Sequence, residues 1–476
     1  MSLIGRLEEQ RELQRYVESP EAEFVVVYGR RRVGKTYLIR RFFDERFAFY
    51  VTGVAGANKA TQLKGFNAAL RRQGGEGTAK NWIDAFEQVR ELLETKDVTR
   101  DEESGKRVVF IDEMPWLDTA HSGFLEGLGF FWNGWASAQD DILLIACGSA
   151  TSWITKNLLN SYGGLYGRVT GAIWLAPFTL HETERLLQSY GFALSRQEVM
   201  ETYMVFGGIP YYLRLLNRRY ALSQNIDLLC FAKTGRLRNE FDALFRALFR
   251  HPERHIAVVR ALATRQSGID RTTILRLTGL SDGGTFATTL AELEQCGLIR
   301  AYRDFTRDKN GEMYQLIDPF VLFWLRFVED ADDPHWWSMN RDSGAVRSWS
   351  GRAFELVCLQ HVPQIKRALG IWGVSVSAQS WRSNPANEPG AQIDLVLRRA
   401  DNVVNLCEMK WVSSGDKYAI DKSYYQQLRR KVEVFASQTK TNSALHTTLV
   451  TPGGLVANQY ASAVQSVVTA EDLFCE

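Results

Sequence analysis

Residues 24–36 read Phe24-Val25-Val26-Val27-Tyr28-Gly29-Arg30-Arg31-Arg32-Val33-Gly34-Lys35-Thr36. An unbroken apolar run marks a strand buried on both faces, as in a parallel sheet. It passes without a spacer into the pattern G-x-x-x-x-G-K-[ST], and a helical stretch, Tyr37 to Phe43, follows. A phosphate cradle requires that order. Gly29 and Gly34 let the backbone curl, so that the loop's N–H groups, from Arg30 through Val33, and the helix N-terminus face phosphate oxygens. Lys35 then reaches the β- and γ-phosphates of ATP, and Thr36 holds Mg2+. A chance match in a Gly/Arg loop is the competing reading, and the flanking strand and helix weigh against it.

A second apolar strand, Arg107 to Ile111, ends in Asp112 and Glu113. Two adjacent acids repel unless a cation or a reaction uses them. At the C-terminal edge of a parallel sheet, Asp112 is expected to orient Mg2+ and Glu113 to polarise the attacking water. The bland alternative is a solvated strand end. Another strand ends in Cys147-Gly148-Ser149, where Ser149 is either a γ-phosphate sensor or an ordinary strand-end serine. Arg168 fits an arginine finger, given in cis or to a neighbouring subunit of a homo-oligomer.

Further strands are expected at Phe47–Val51 and Ala172–Leu175, so the first third alternates strands and helices as a parallel α/β sheet does. After Pro177 two capping boxes, Thr179 with Glu182 and Ser195 with Glu198, open helices. Residues 179–250 read as a helical lid on an ATPase core at 1–178. Residues 251–330 give three helices and two strands around Asn310-Gly311, a winged helix-turn-helix pattern. A linker, 331–350, precedes a last α/β domain, 351–476. With 476 residues and 45% hydrophobic residues, the chain can bury several such cores. Six scattered cysteines without C-x-x-C, no long apolar run and a start without a signal-peptide pattern point to a cytoplasmic chain with no membrane span. The seven histidines show no ligand spacing.

By this point the ordered set Ile4-Gly5-Arg6 with Glu9 and Leu13, then the Gly29–Thr36 loop, Phe110-Ile111-Asp112-Glu113, Cys147-Gly148-Ser149-Ala150, Leu165-Tyr166-Gly167-Arg168, Leu175-Ala176-Pro177-Phe178 and Gly207-Gly208-Ile209-Pro210 resembles the archaeal-type P-loop ATPases. That family stands near the STAND and origin-recognition AAA+ ATPases. The resemblance covers about residues 1–220. It implies that Gly5 and Arg6 lie near the adenine and that Ile209-Pro210 closes over the nucleotide.

The last domain carries a second constellation. Gln392 to Arg399 and Val403 to Trp411 are apolar-rich runs separated by Ala400-Asp401-Asn402. A three-residue hairpin loop there sets Asp394 opposite Glu408, with Lys410 on the same face as Glu408. Facing carboxylates destabilise a strand pair unless a cation sits between them. Mg2+ bound by Asp394 and Glu408, with Lys410 beside it, is a geometry for metal-assisted hydrolysis. A slip of one residue would put the acids on opposite faces. The pattern resembles the PD-(D/E)XK nucleases, which have a restriction-endonuclease-like α/β fold. Asp394 and Glu408-Met409-Lys410 match their core motif, and Glu355 matches the glutamate of the preceding helix. Ile393 stands where the name-giving proline would be. The resemblance also implies substrate contacts from Tyr425, Gln426, Arg429 and Lys431. A degraded, structural copy is the alternative.

Residues 214–276 hold 13 Arg and Lys against 5 Asp and Glu, in a chain whose net charge is only +2. Such a cluster leading into a winged helix suits DNA backbone contacts, with Arg303, Arg307 and Lys309 available from the wing. The candidate recognition helix has no Arg or Lys, so a packing role is the alternative. Trp336, Trp337 and Trp349 are expected to dock the linker rather than stack on bases. The sequence thus describes an α/β multidomain chain: an ATP-hydrolysing protein that grips duplex DNA through 251–330 and cuts it, under ATP regulation, with an Mg-dependent nuclease domain. Its rival is a nucleotide-dependent switch or DNA-binding regulator whose nuclease-like domain is inactive.

Overall fold

In the computed structural model, the five apolar runs of the N-terminal third become β1 (Glu23–Tyr28), β2 (Phe49–Thr52), β3 (Arg107–Asp112), β4 (Ile142–Gly148) and β5 (Gly171–Trp174). The structure describes residues 3–476 apart from 150, 161–164, 166, 250, 266, 304, 306–311 and 384–389, and it omits the side chain of Arg303. All five strands run parallel, in the order β2-β3-β4-β1-β5. Every residue of β3 and β4 is buried, which is why neither strand shows polar alternation. One face packs on an aromatic cluster in which Trp82 meets Phe66 and Phe124 edge-on, with ring centroids 5.4 and 4.9 Å apart. Because β4 lies between β1 and β3, the ends of these three strands share one edge of the sheet.

The chain divides into two compact units, one holding Met1–Pro177, Arg246–Arg250 and Gln295–Gly297, the other the remaining residues. The second unit begins with helices Leu180–Ser189 and Arg196–Phe206, each started by a complete capping box from Thr179 and Ser195. The latter helix stops where Gly207 takes φ +61°, and Pro210 opens the next one. Helices Pro252–Ala263, Arg271–Thr278 and Gly284–Gln295 follow. They accompany β6 (Ile269–Asp270), β7 (Ile299–Arg303) and β8 (Glu312–Leu316), an antiparallel sheet ordered β6-β8-β7. The two-residue β6 is too short to leave a sequence signal. Asn310-Gly311, Arg307 and Lys309 lie outside the described residues.

The stretch read as a linker, 331–350, is partly helical. It holds helix Trp336–Asn340 and the first turns of helix Gly344–Gln360, which Ser343 caps. Trp336, Trp337 and Trp349 form an aromatic cluster with Phe323 and Phe327, and Trp336 stacks on Phe231 at 5.7 Å. These tryptophans are occupied in packing.

The remaining strands are β9 (Val376–Ser383), β10 (Ala391–Arg399), β11 (Val403–Met409), β12 (Ala444–Val450) and β13 (Ser466–Val468), ordered β13-β12-β11-β10-β9. β9, β10 and β11 pair antiparallel, whereas β11, β12 and β13 pair parallel. Helix Lys422–Thr439 makes the crossover from β11 to β12. Asn402 ends the β10–β11 loop at φ +61°, the left-handed step that closes a three-residue hairpin loop.

Candidate active sites

The loop after β1 is built on two glycines that no other residue replaces. Gly29 takes φ +140°, and a Cβ there would lie 2.4 Å from the Leu175 carbonyl oxygen; Gly34 takes φ +98° and leads into helix Lys35–Phe42. Inside the loop, buried Lys35 donates from Nζ to the carbonyls of Gly29 and Arg30, both at 3.0 Å. Burial lowers its pKa, while Cys147, Glu113 and Asp112 oppose the shift. Thr36 donates its hydroxyl to Asp112, 2.9 and 3.0 Å from the two carboxylate oxygens. Desolvation raises the pKa of Asp112, the Thr36 bond lowers it, and neighbouring Glu113 raises it again.

Glu113 sits one residue past β3 in a left-handed conformation, φ +45°. Its carboxylate accepts the Ser149 hydroxyl at 2.7 Å and the Ser149 N–H at 3.3 Å. Ser149, from the end of β4, is therefore engaged with Glu113. Arg6 is buried and donates to the Val33 carbonyl at 3.1 Å, with an ion pair to Glu9 at 3.3 Å. Gly5 accepts from the Gln10 side chain at 2.7 Å. Arg31 and Arg32 are half-buried and Arg30 is buried, while Arg168 is exposed. Pro210 belongs to the second unit. The sheet edge thus brings Lys35, Thr36, Asp112, Glu113 and Ser149 together.

In the second unit, β10 and β11 pair Leu395 with Cys407 and Val396 with Leu406. Carried one pair further, that register sets Asp394 opposite Glu408. Both acids have raised pKa values. For half-buried Asp394 the first cause is desolvation, opposed by Lys431 and Lys410; for Glu408 it is desolvation and then Asp394, pushing the group up to about 7. Glu355, on helix Gly344–Gln360, is raised by desolvation and then by Asp394. Lys410 extends its ammonium over the Tyr424 ring, 4.7 Å from the centroid. These four side chains interact electrostatically as one group. Among the described residues, no three His, Cys, Asp or Glu side chains gather as a metal-ligand set.

Sequence reasoning missed one partner. Lys431 donates to both oxygens of Glu408, at 2.7 and 2.6 Å, and Glu408 is only 3% exposed. The nuclease resemblance implies a substrate contact for Lys431, whereas in the structure it pairs with Glu408. The only available signal was that an acid inside an apolar strand needs a counter-cation, and nothing local says which lysine supplies it. Arg429 faces solvent and pairs with Glu433 at 3.8 Å.

Residues 3–216 match the family model described as an ATPase domain predominantly from Archaea. The chain carries an archaeal-type ATPase domain. It is also 24% identical over 434 residues to an uncharacterised protein of Methanocaldococcus jannaschii, covering 90% of this chain and 91% of that one. Among solved structures, it is similar to a Walker-type ATPase of Pyrococcus abyssi, with 21% identity and TM-score 0.49, over 68% of this chain and 96% of the other. The ORC2 protein of Aeropyrum pernix, solved in ADPNP and ADP complexes, shows 13% identity and TM-score 0.41, over 76% and 96%. The ATPase domain contains the whole Gly29–Thr36 loop, the Asp112-Glu113 pair and Ser149. No helix among the described residues is long and apolar enough to cross a membrane.

Proposed function

We propose that this chain binds and hydrolyses ATP in its N-terminal unit and cuts nucleic acid with a metal-dependent nuclease site in its C-terminal part. In this reading 1–178 is the ATPase core, 179–250 a helical lid, 251–330 a winged helix and 351–476 the nuclease-like domain, reached through 331–350. At the ATP site a hydroxyl and a carboxylate in direct contact, Thr36 and Asp112, form a donor pair that suits Mg2+. They would hold it, and it would supply positive charge against the phosphates. Lys35 trades its two loop carbonyls for β- and γ-phosphate oxygens. Glu113, oriented by Ser149, accepts the proton of the attacking water. Exposed Arg168 would serve a neighbouring copy in a homo-oligomer.

The observation that carries the nuclease reading is the β10–β11 register, which supports two acids facing one another with Lys410 nearby. Burial raises both pKa values, with Asp394 as the second cause for Glu408, and a divalent cation would favour the charged carboxylates. Asp394 and Glu408 would hold Mg2+, with Glu355 approaching from its helix and Lys410 orienting or deprotonating water. A nuclease assay with Mg2+ or Mn2+, with and without ATP, on single- and double-stranded DNA and on RNA tests this. Asp394→Ala and Lys410→Ala should each abolish cleavage while ATP hydrolysis continues. Wild-type protein that cuts none of these substrates sinks the reading.

A second reading is favoured by one contact. Lys431 already neutralises Glu408, so the carboxylates are satisfied as a structural ion cluster, and the chain is a nucleotide-dependent switch that grips DNA without cutting it. In both readings, the basic run between Arg214 and Arg276 supplies backbone contacts to DNA. Affinity should fall steeply with salt, and reversing Arg214, Arg218 and Arg219 to Glu should weaken it across sequences.

A further inference from the structure

Beside Asp394 lies a cavity of about 890 Å³, lined by four arginines and two carboxylates. Arg300 and Tyr302 come from β7, Arg352 and Glu355 from helix Gly344–Gln360, Arg382 from β9, Asp394 from β10, and Arg265 from the turn before β6. Arginines elsewhere in the same part of the chain are paired, as Arg260 is with Glu329 and Arg271 with Asp282. Among the described residues, by contrast, none of Arg265, Arg300 and Arg352 has a carboxylate within ion-pair distance.

Arg300 is held in a fixed plane. Its Nε donates to Gln315 at 2.7 Å, and its guanidinium lies 4.9 Å over the Tyr302 ring. Burial lowers its pKa, a cost that a bound anion relieves. Arg352 is anchored through Ser348 Oγ at 2.8 Å and Arg382 reaches Ser267 at 3.4 Å. The Trp381 indole N–H, buried in the same wall, has no partner among the described residues. Fixed guanidinium planes arriving from several elements suit a chain of phosphates better than one anion. Spread as a sphere, the volume is about 12 Å across, no wider than the major groove of a duplex alone. A cavity of that size suits a single strand better than a paired helix.

We propose that this cavity binds a single strand of nucleic acid, its phosphates on Arg300, Arg352 and Arg382, and leads it to Glu355 and Asp394. Delivery to the carboxylates rests on the nuclease reading; binding does not. The arginines are positioning residues: they hold the backbone, and a ring–guanidinium stack such as Tyr302 with Arg300 tolerates any unpaired base.

The test uses the full chain in EDTA, where no cutting occurs, with a fluorescent single-stranded oligonucleotide and the matching duplex, followed by anisotropy across a salt series. Arg300→Gln should weaken single-strand binding roughly tenfold and reduce the salt slope by about one, with duplex binding changed less than about twofold. Arg352→Gln, at an exposed position, should act the same way and guards against a folding defect in the first variant. Unchanged single-strand affinity in both variants, with wild-type melting, overturns the proposal; so does an equal loss for duplex. A parallel Mg2+ cleavage assay separates the two ideas. Wild type that binds single strands through these arginines but never cuts removes the nuclease reading alone. Cleavage that proceeds with binding indifferent to the arginines removes the cavity alone.

Discussion

Replacing Lys431 by Met tests what the Glu408 cluster is for. Glu408 is 3% exposed and its two oxygens rest on one ammonium at 2.6 and 2.7 Å. Removing one partner of a buried ion pair costs about 3–5 kcal/mol, because the other charge stays behind in a poor solvent. Lys431 is itself 26% exposed, so the lower end, about 3 kcal/mol, is expected. That corresponds to a fall of roughly 6–12 °C in the melting of the C-terminal part. Calorimetry without and with millimolar Mg2+ reads it out. If Asp394 and Glu408 are metal ligands, Mg2+ takes over the work of the missing ammonium and restores most of the loss, raising the variant's melting temperature far more than the wild type's. A variant that melts like wild type refutes the role given to this ion pair. A destabilised variant indifferent to Mg2+ and Mn2+ refutes the metal site and leaves the inactive copy.

Four further outcomes are expected. Lys35→Ala should cost about 3 kcal/mol of nucleotide affinity, roughly 100-fold, by titration with a fluorescent ATP analogue, since it removes a charged donor to phosphate; wild-type affinity would contradict the assignment. Glu113→Gln should retain binding and lose roughly 100-fold or more in turnover, and Ser149→Ala should lower turnover by less, because the carboxylate keeps its chemistry and loses only its orientation. Buried His361 accepts the Leu180 N–H at Nε2, 2.9 Å away, so its Nδ1–H donates to the Val357 carbonyl at 2.7 Å and the ring is neutral. Burial holds its pKa down at about 4. Because the folded value lies below the unfolded one of about 6.5, stability present above that pH drains away as pH falls toward 4, by about 3 kcal/mol in all. His361→Gln should flatten that part of the acid-unfolding curve.

The ATPase core was legible because its signals are local. An apolar strand, two glycines with positive φ and a lysine follow one another in thirteen residues, and β3 and β4 are buried along their whole length. The β10–β11 register was legible for a similar reason: a loop of three residues ending in left-handed Asn402 leaves one alignment. What escaped was long-range. The sequence separation of 23 from Glu408 to Lys431 gives no hint of a contact, and the arginines of the cavity are scattered from Arg265 to Arg382. The helix carrying Glu355 begins at Gly344, ahead of the expected boundary at 351, because a stretch rich in Asp, Trp and Ser reads as a tether until Ser343 is seen as a cap. His361 shows no ligand spacing; only folding brings Leu180 to its ring.

Helix Gly344–Gln360 has one more consequence. Trp349, near its start, is wedged among Phe323, Phe327 and Trp337, and Glu355 stands six residues further on. At 1.5 Å per residue the two are about 9 Å apart along one rod. A helix resists bending far more than loops resist moving, so the rod turns as a whole or not at all. Any shift of the aromatic wedge therefore swings the Glu355 carboxylate through a matching arc, and the acid reports mechanically on the posture of a segment it never touches.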